Sequence, residues 1–111
     1  MKPCDEKQEI CGIRAMTAKQ FEKRVASVLE RKYRRYNVSG CKVWKEGKQL
    51  FLSVRFDPDV FRTETWGISA VFDQSGKCQS RSCGTIRDYL FTFILVRRIE
   101  EECRTYTGAV V

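Results

Sequence analysis

The sequence predicts an α+β fold: a helix, a three-stranded antiparallel sheet and a second helix (αβββα). It reads as a sandwich of two helices packed on one sheet, and the C-terminal tail is able to add a final edge strand. Three observations carry this. Ala18, Phe21, Val25, Val28, Leu29, Tyr33 and Tyr36 recur at three- and four-residue spacing, the mark of one helical face. Leu50–Phe56 and Trp66–Phe72 alternate apolar and polar with a period of two, as half-buried strands do. The run YLFTFILV, residues 89–96, supplies a second apolar helix.

Residues 1–16 read as an N-terminal arm, because Pro3, Gly12 and mixed charges leave no period. Residues 17–111 read as one domain. Thr17 followed by Gln20 is a capping-box pattern and starts a helix over 17–36, closed by Asn37 and Gly40. Lys32 falls on the apolar side and must snorkel outward. Glu46-Gly47-Lys48 marks the turn of a hairpin over 41–56. Asp57-Pro58-Asp59 breaks the second strand, a third runs over 65–73, and Asp73-Gln74-Ser75-Gly76 turns. Residues 77–84, KCQSRSCG, read as a polar loop. The second helix spans 85–104 and is apolar all round at its centre, which predicts burial. The same run has strand-like composition, a competing assignment.

The 111 residues are 42% hydrophobic and 32% charged, as in a globular protein. The longest apolar run is far short of the ~20 residues that cross a bilayer. The N-terminus carries charges where a signal peptide needs an apolar core. Six cysteines without such a leader indicate reduced thiols and a cytoplasmic location. The Asn37-Val38-Ser39 sequon and the even cysteine count are the two features of a secreted chain it carries.

The net charge of +7 is uneven. Residues 17–55 hold eleven cations against three anions, a balance of +8. This asymmetry points to a polyanionic partner. On a helical wheel Arg24, Arg31 and Arg35 form one stripe facing away from Phe21, Val25 and Leu29, flanked by Lys23 and Arg34. Guanidinium groups can hold two phosphate oxygens at once. Cations in the last turn also complement the helix dipole, so part of the run has a structural explanation. Lys42, Lys45 and Lys48 extend the track onto the hairpin. Trp44 shares a strand face with Lys42. A solvated face would let it stack on a base. The expectation is a core position under a helix, and an inward position is also expected for Tyr33 and Tyr36.

The element order is similar to that of the double-stranded-RNA-binding domain. The similarity is of order alone, since the hairpin has no histidine and SRSCGTIR replaces a lysine-rich helix start. With a last strand, the order also resembles the core of PD-(D/E)xK nucleases, which implies metal-binding acids near Glu22 and Asp59. Asp73 and Lys77 have the wrong spacing for the acid-x-Lys pair, and Glu46-Gly47-Lys48 lies in a turn, so an active nuclease is the lesser expectation. No histidine is present, which excludes Cys–His and Ser–His nucleophiles. Cys4, Cys11, Cys78 and Cys83 are weak zinc candidates without a tight knuckle spacing, while Cys41 and Cys103 read as small core hydrophobes.

The expectation is therefore a small cytosolic non-enzymatic protein, without cofactor, membrane or small-molecule substrate. It binds nucleic acid through Lys23, Arg24, Arg31, Arg34 and Arg35 on the helix and Lys42, Trp44, Lys45 and Lys48 on the hairpin. The alternative is an adaptor or inhibitor docking on an acidic protein surface, of the kind phages and mobile elements direct at host nucleases.

Overall fold

Thr17 opens the first helix with the capping box its sequence announces. Its hydroxyl accepts from the Gln20 amide at 3.1 Å, and the Gln20 side-chain oxygen accepts from the Thr17 amide at 3.0 Å. The computed structural model describes residues 15–58, 60 and 62–110, with side chains described through residue 104. Met16, assigned to the arm by sequence, is a buried core residue.

Helix α1 spans Ala18–Lys32, one turn shorter than its apolar period suggests. Tyr33 is the C-cap, and its amide donates to the Leu29 carbonyl at 3.0 Å. Tertiary packing ends the helix here. Phe91 meets Tyr33, Tyr36, Phe56 and Trp66 edge-on, with ring centroids 5.1–5.5 Å apart. Such contacts contribute about 0.5–1.5 kcal/mol each beyond area burial. Tyr33 is buried and Tyr36 half-buried, both inward as expected. Arg34 and Arg35 consequently lie in a turn, not on the helix.

The sheet has four strands in the meander order β1-β2-β3-β4, all antiparallel. They are β1 Val38–Glu46, β2 Gln49–Phe56, β3 Trp66–Asp73 and β4 Cys78–Cys83. Gly47 turns the first hairpin with φ 61°, a left-handed conformation that suits glycine. The predicted three-stranded sheet thus gains a strand, and it comes from the segment read as a polar loop. An edge strand need not carry a clean apolar face. Here Ser80 and Ser82 point to one side, while Cys78, Arg81 and Cys83 share the register of buried neighbours. Arg81 covers the core margin with its guanidinium 4.9 Å over the Phe93 ring. The C-terminal tail adds no strand. It continues helix α2, Tyr89–Val110, which follows a 3₁₀ turn at Ile86–Asp88.

Both helices cover the same side of the sheet. Phe21, Val25, Val28 and Leu29 of α1, and Leu95, Val96, Ile99 and Cys103 of α2, close over Leu50, Leu52, Val54, Phe56, Ile68, Ala70 and Phe72. Phe21 and Phe72 meet at 4.8 Å. The all-round burial expected of the second helix does not occur, since Tyr89, Leu90 and Ile94 are exposed. Among the described residues, no helix is long and apolar enough to cross a membrane.

Candidate nucleic-acid interface

With both helices on one side, the other face of the sheet is open. Strand register arranges its side chains in cross-strand rows. One row runs Trp44, Phe51, Val71, Ser80, the next Lys42, Ser53, Ser69, Ser82, and the third Gly40, Arg55, Gly67. Successive rows on one face lie about 7 Å apart. The first is apolar and aromatic, the second a cation with three hydroxyls, the third dominated by Arg55.

Trp44 does not enter the core. It lies on the open face, 40% exposed, stacked on Phe51 with ring centroids 5.4 Å apart and planes 9° from parallel. Its indole N–H donates to Glu46 at 3.1 Å, which fixes the ring. Trp44 and Lys42 thus share a solvated face. Two hollows adjoin on this face and share Ser69 and Ser82. One, of ≈ 250 Å³, is bordered by Trp44, Phe51 and Ser80. The other, of ≈ 470 Å³, is bordered by Ser53, Arg55, Thr65 and Gly67. Gly67 borders the second hollow, and a Cβ there would meet the Val54 carbonyl oxygen at 2.8 Å, so the position admits no side chain without a backbone shift.

The acids nearby are occupied. Asp73 accepts from the Ser75 hydroxyl at 2.6 Å and from the Ser75 and Lys77 amides at 2.9 and 3.0 Å. Partial burial pushes its carboxyl up, but these hydrogen bonds outweigh burial and hold it below the usual value.

The sequence-predicted surface is divided by the fold. Lys42 and Trp44 face away from both helices, and Lys48 stands in the hairpin turn. Lys45 opposes Leu50 on the helix side, and its ammonium donates to the Met16 carbonyl at 3.4 Å. Lys23, Arg34 and Arg35 are exposed beside the helices. The arginine stripe is not a free ridge. Arg24 and Arg31 both converge on Glu102 of α2, at 3.9 and 2.5 Å. The helical wheel could not place Glu102, because only tertiary packing brings α2 to that side of α1.

A second basic feature lies at the end of α1. Lys32, Arg35 and Arg98 surround a recess of ≈ 290 Å³ with Tyr33, Tyr36, Phe91 and Ile94. Burial raises the Tyr33 hydroxyl's pKa, and Arg98, hydrogen-bonded to it, partly offsets that effect.

Sequence reasoning missed one buried charge pair. Asp88 is 2% exposed and takes an ion pair from Arg62, whose guanidinium also lies 4.0 Å over the Trp66 ring. The Thr85 hydroxyl donates to the same carboxylate at 3.1 Å. Thr85-x-x-Asp88 before an apolar run was the available signal.

Of the four weak zinc candidates, Cys78 and Cys83 are not brought together. Cys78 and Cys83 stand at opposite ends of β4, five residues apart. An extended strand separates such positions by roughly 17 Å, too far to share one ion with S–metal bonds of about 2.3 Å. Cys4 and Cys11 lie outside the described residues. Among the described residues, no three His, Cys, Asp or Glu side chains gather to hold a metal. Of the nuclease positions, Glu22 is exposed on α1, Asp73 ends β3 with its carboxylate taken up by Ser75 and Lys77 of the following turn, and Asp59 lies outside the described residues. Burial pushes the thiols up, Cys41 to about 11 and Cys103 to about 12, so neither is a nucleophile near neutrality.

No protein-family model matches the chain, no curated protein matches it, and no solved structure matches its fold.

Proposed function

We propose that this chain is a non-enzymatic module that binds single-stranded nucleic acid on the open face of its sheet. The observation that carries the reading is the stacked pair of exposed Trp44 and half-buried Phe51 on a helix-free face, with Lys42 in the adjoining row and Arg55 in the row after it. Bases stack on such a platform whatever their identity, each stack contributing about 1–3 kcal/mol. Lys42, Arg55 and Lys48 take phosphates, and Ser53, Ser69 and Ser82 offer hydrogen bonds to sugar or base edges. A duplex keeps its bases stacked inside and gains little from this face.

Fluorescence anisotropy with single-stranded RNA, single-stranded DNA and duplex DNA across a salt series tests this. Single strands bind more tightly than duplex. Three phosphate contacts give a log–log salt slope of magnitude about 2. Trp44→Ala weakens binding about 5- to 150-fold, the equivalent of one lost stack. Binding that ignores Trp44→Ala refutes the reading.

One observation favours a protein-binding adaptor or inhibitor instead. Ile86, Tyr89 and Leu90 are 93%, 58% and 64% exposed at the start of α2, beside Arg87. Apolar groups gathered at a surface mark protein contacts. Retention of a protein partner that excess oligonucleotide does not displace, together with absent oligonucleotide binding near 100 mM salt, would favour that function.

A further inference from the structure

Two groups of cations stand out in this fold. Arg24, Arg31 and Arg62 have carboxylate partners within the chain. Lys32, Arg35 and Arg98 surround one recess, and none of them has a carboxylate partner among the described residues. The seven residues that line the recess include no acid.

Three like charges bordering one recess repel one another, an effect that solvent screens at the exposed Lys32 and Arg35. Lys32 has a structural explanation, because it ends α1 and complements the helix dipole. Arg35 and Arg98 have none of that kind. Arg35 lies beyond the helix end, and Arg98 stands well inside α2. Arg98 is half-buried and lies beside Tyr33 in the recess. Phe91 and Ile94 add an apolar wall beside the charges. At ≈ 290 Å³ the recess falls just short of the ~300 Å³ at which small-ligand pockets begin, room for a phosphate and part of its organic group.

We infer that the recess formed by Lys32, Arg35 and Arg98 binds a phosphate monoester, with the adjoining organic group against Phe91 and Ile94. Two guanidinium forks and one ammonium match the three free oxygens and two negative charges of a terminal phosphate. An internal phosphodiester offers two free oxygens and one charge. The ligand is a nucleoside monophosphate or the 5′-phosphorylated end of a strand, which present the same chemistry. This site lies on the helix side, across the sheet from Trp44, and it does not depend on the sheet-face reading.

Isothermal titration at constant ionic strength tests the inference, with adenosine 5′-monophosphate, adenosine, and 5′-phosphorylated and 5′-hydroxyl oligothymidylate as probes. The monophosphate binds at least ~10-fold more tightly than the nucleoside, as expected for charge-assisted phosphate contacts. Lys32→Gln and Arg35→Gln, both at exposed positions, each weaken it several-fold, and the double variant removes the preference. Trp44→Ala leaves it unchanged, which separates this site from the sheet face. Whichever of the mononucleotide and the 5′-phosphorylated strand binds more tightly identifies the source. Equal binding of nucleoside and monophosphate overturns the inference. So does a Lys32→Gln/Arg35→Gln variant that is folded by circular dichroism and binds as the parent does.

Discussion

Replacing Asp88 by Asn removes a buried charge while keeping the side chain's shape. The carboxylate side chain is 3% exposed and Arg62 17%, so water can do little to replace the lost partner. Breaking a buried pair from one side costs about 3–5 kcal/mol, since the remaining charge stays desolvated. Arg62 keeps its contact with Trp66 at 4.0 Å and some solvent, which places the expected loss near the lower bound, about 3 kcal/mol. Unfolding entropy is about 2.1 cal/mol/K per residue, and for 111 residues such a loss lowers Tm by roughly 13 °C. Urea denaturation of the parent, Asp88→Asn, Arg62→Gln and the double variant forms the cycle. A coupling of about 1.5 kcal/mol or more between Asp88 and Arg62 is expected, because contacting pairs couple by ~0.5–3 kcal/mol. Additivity within about 0.5 kcal/mol, the behaviour of independent sites, refutes it.

Other outcomes follow from geometry already described. Gly76 has φ 93°, and a Cβ there would meet Cys103 Cβ at 2.5 Å and Met16 Cε at 2.9 Å. Gly76→Ala therefore combines backbone strain with overpacking and lowers urea-derived stability by about 2–4 kcal/mol. Asp73 has a folded-state pKa below its unfolded value, so its contribution is present above about pH 4 and is lost as pH falls through the folded value. Asp73→Asn should lack this component, and identical acid-denaturation curves for parent and variant would contradict it. Trp44→Ala changes stability by less than about 1 kcal/mol in thermal melts, because the ring covers a surface neighbour and no core residue. Cys103, fully buried with its thiol pKa raised, reacts with a thiol reagent only as fast as the chain unfolds.

The local signals proved legible where local physics decides. Thr17 and Gln20 announce a cap, Gly47 a hairpin turn, and the alternation of Leu50–Phe56 a strand with one buried face. What stayed hidden depends on partners distant in sequence. Cys78–Cys83 has no apolar alternation, because an edge strand is paired on one side only and its Ser80 and Ser82 face water. Periodicity carries α1 on to Tyr36, yet the aromatic cluster around Phe91 stops it at Lys32. Trp44 could not be oriented from β1 alone, since Cys41 and Val43 are weak markers of a buried face. Arg24 and Arg31 read as a binding ridge until Glu102 is placed between them. The recess at Lys32, Arg35 and Arg98 draws two residues from the basic run and the third from a helix 63 positions beyond Arg35, which no wheel of α1 can display.

The meander also sets an order of assembly. Each strand pairs with its neighbour in sequence, so every ladder can zip after closing only a short loop. The ion pair of Arg31 with Glu102 spans 71 positions, and closing it belongs to the last stage. During synthesis the strands emerge well before residues 95–103. Until α2 arrives, α1 alone shields the apolar side of the sheet: Phe21 can already cover Phe72, but the core still lacks Leu95, Val96 and Ile99. A chain interrupted within α2 would thus present a paired sheet with a sticky underside, the state in which this protein most needs a chaperone.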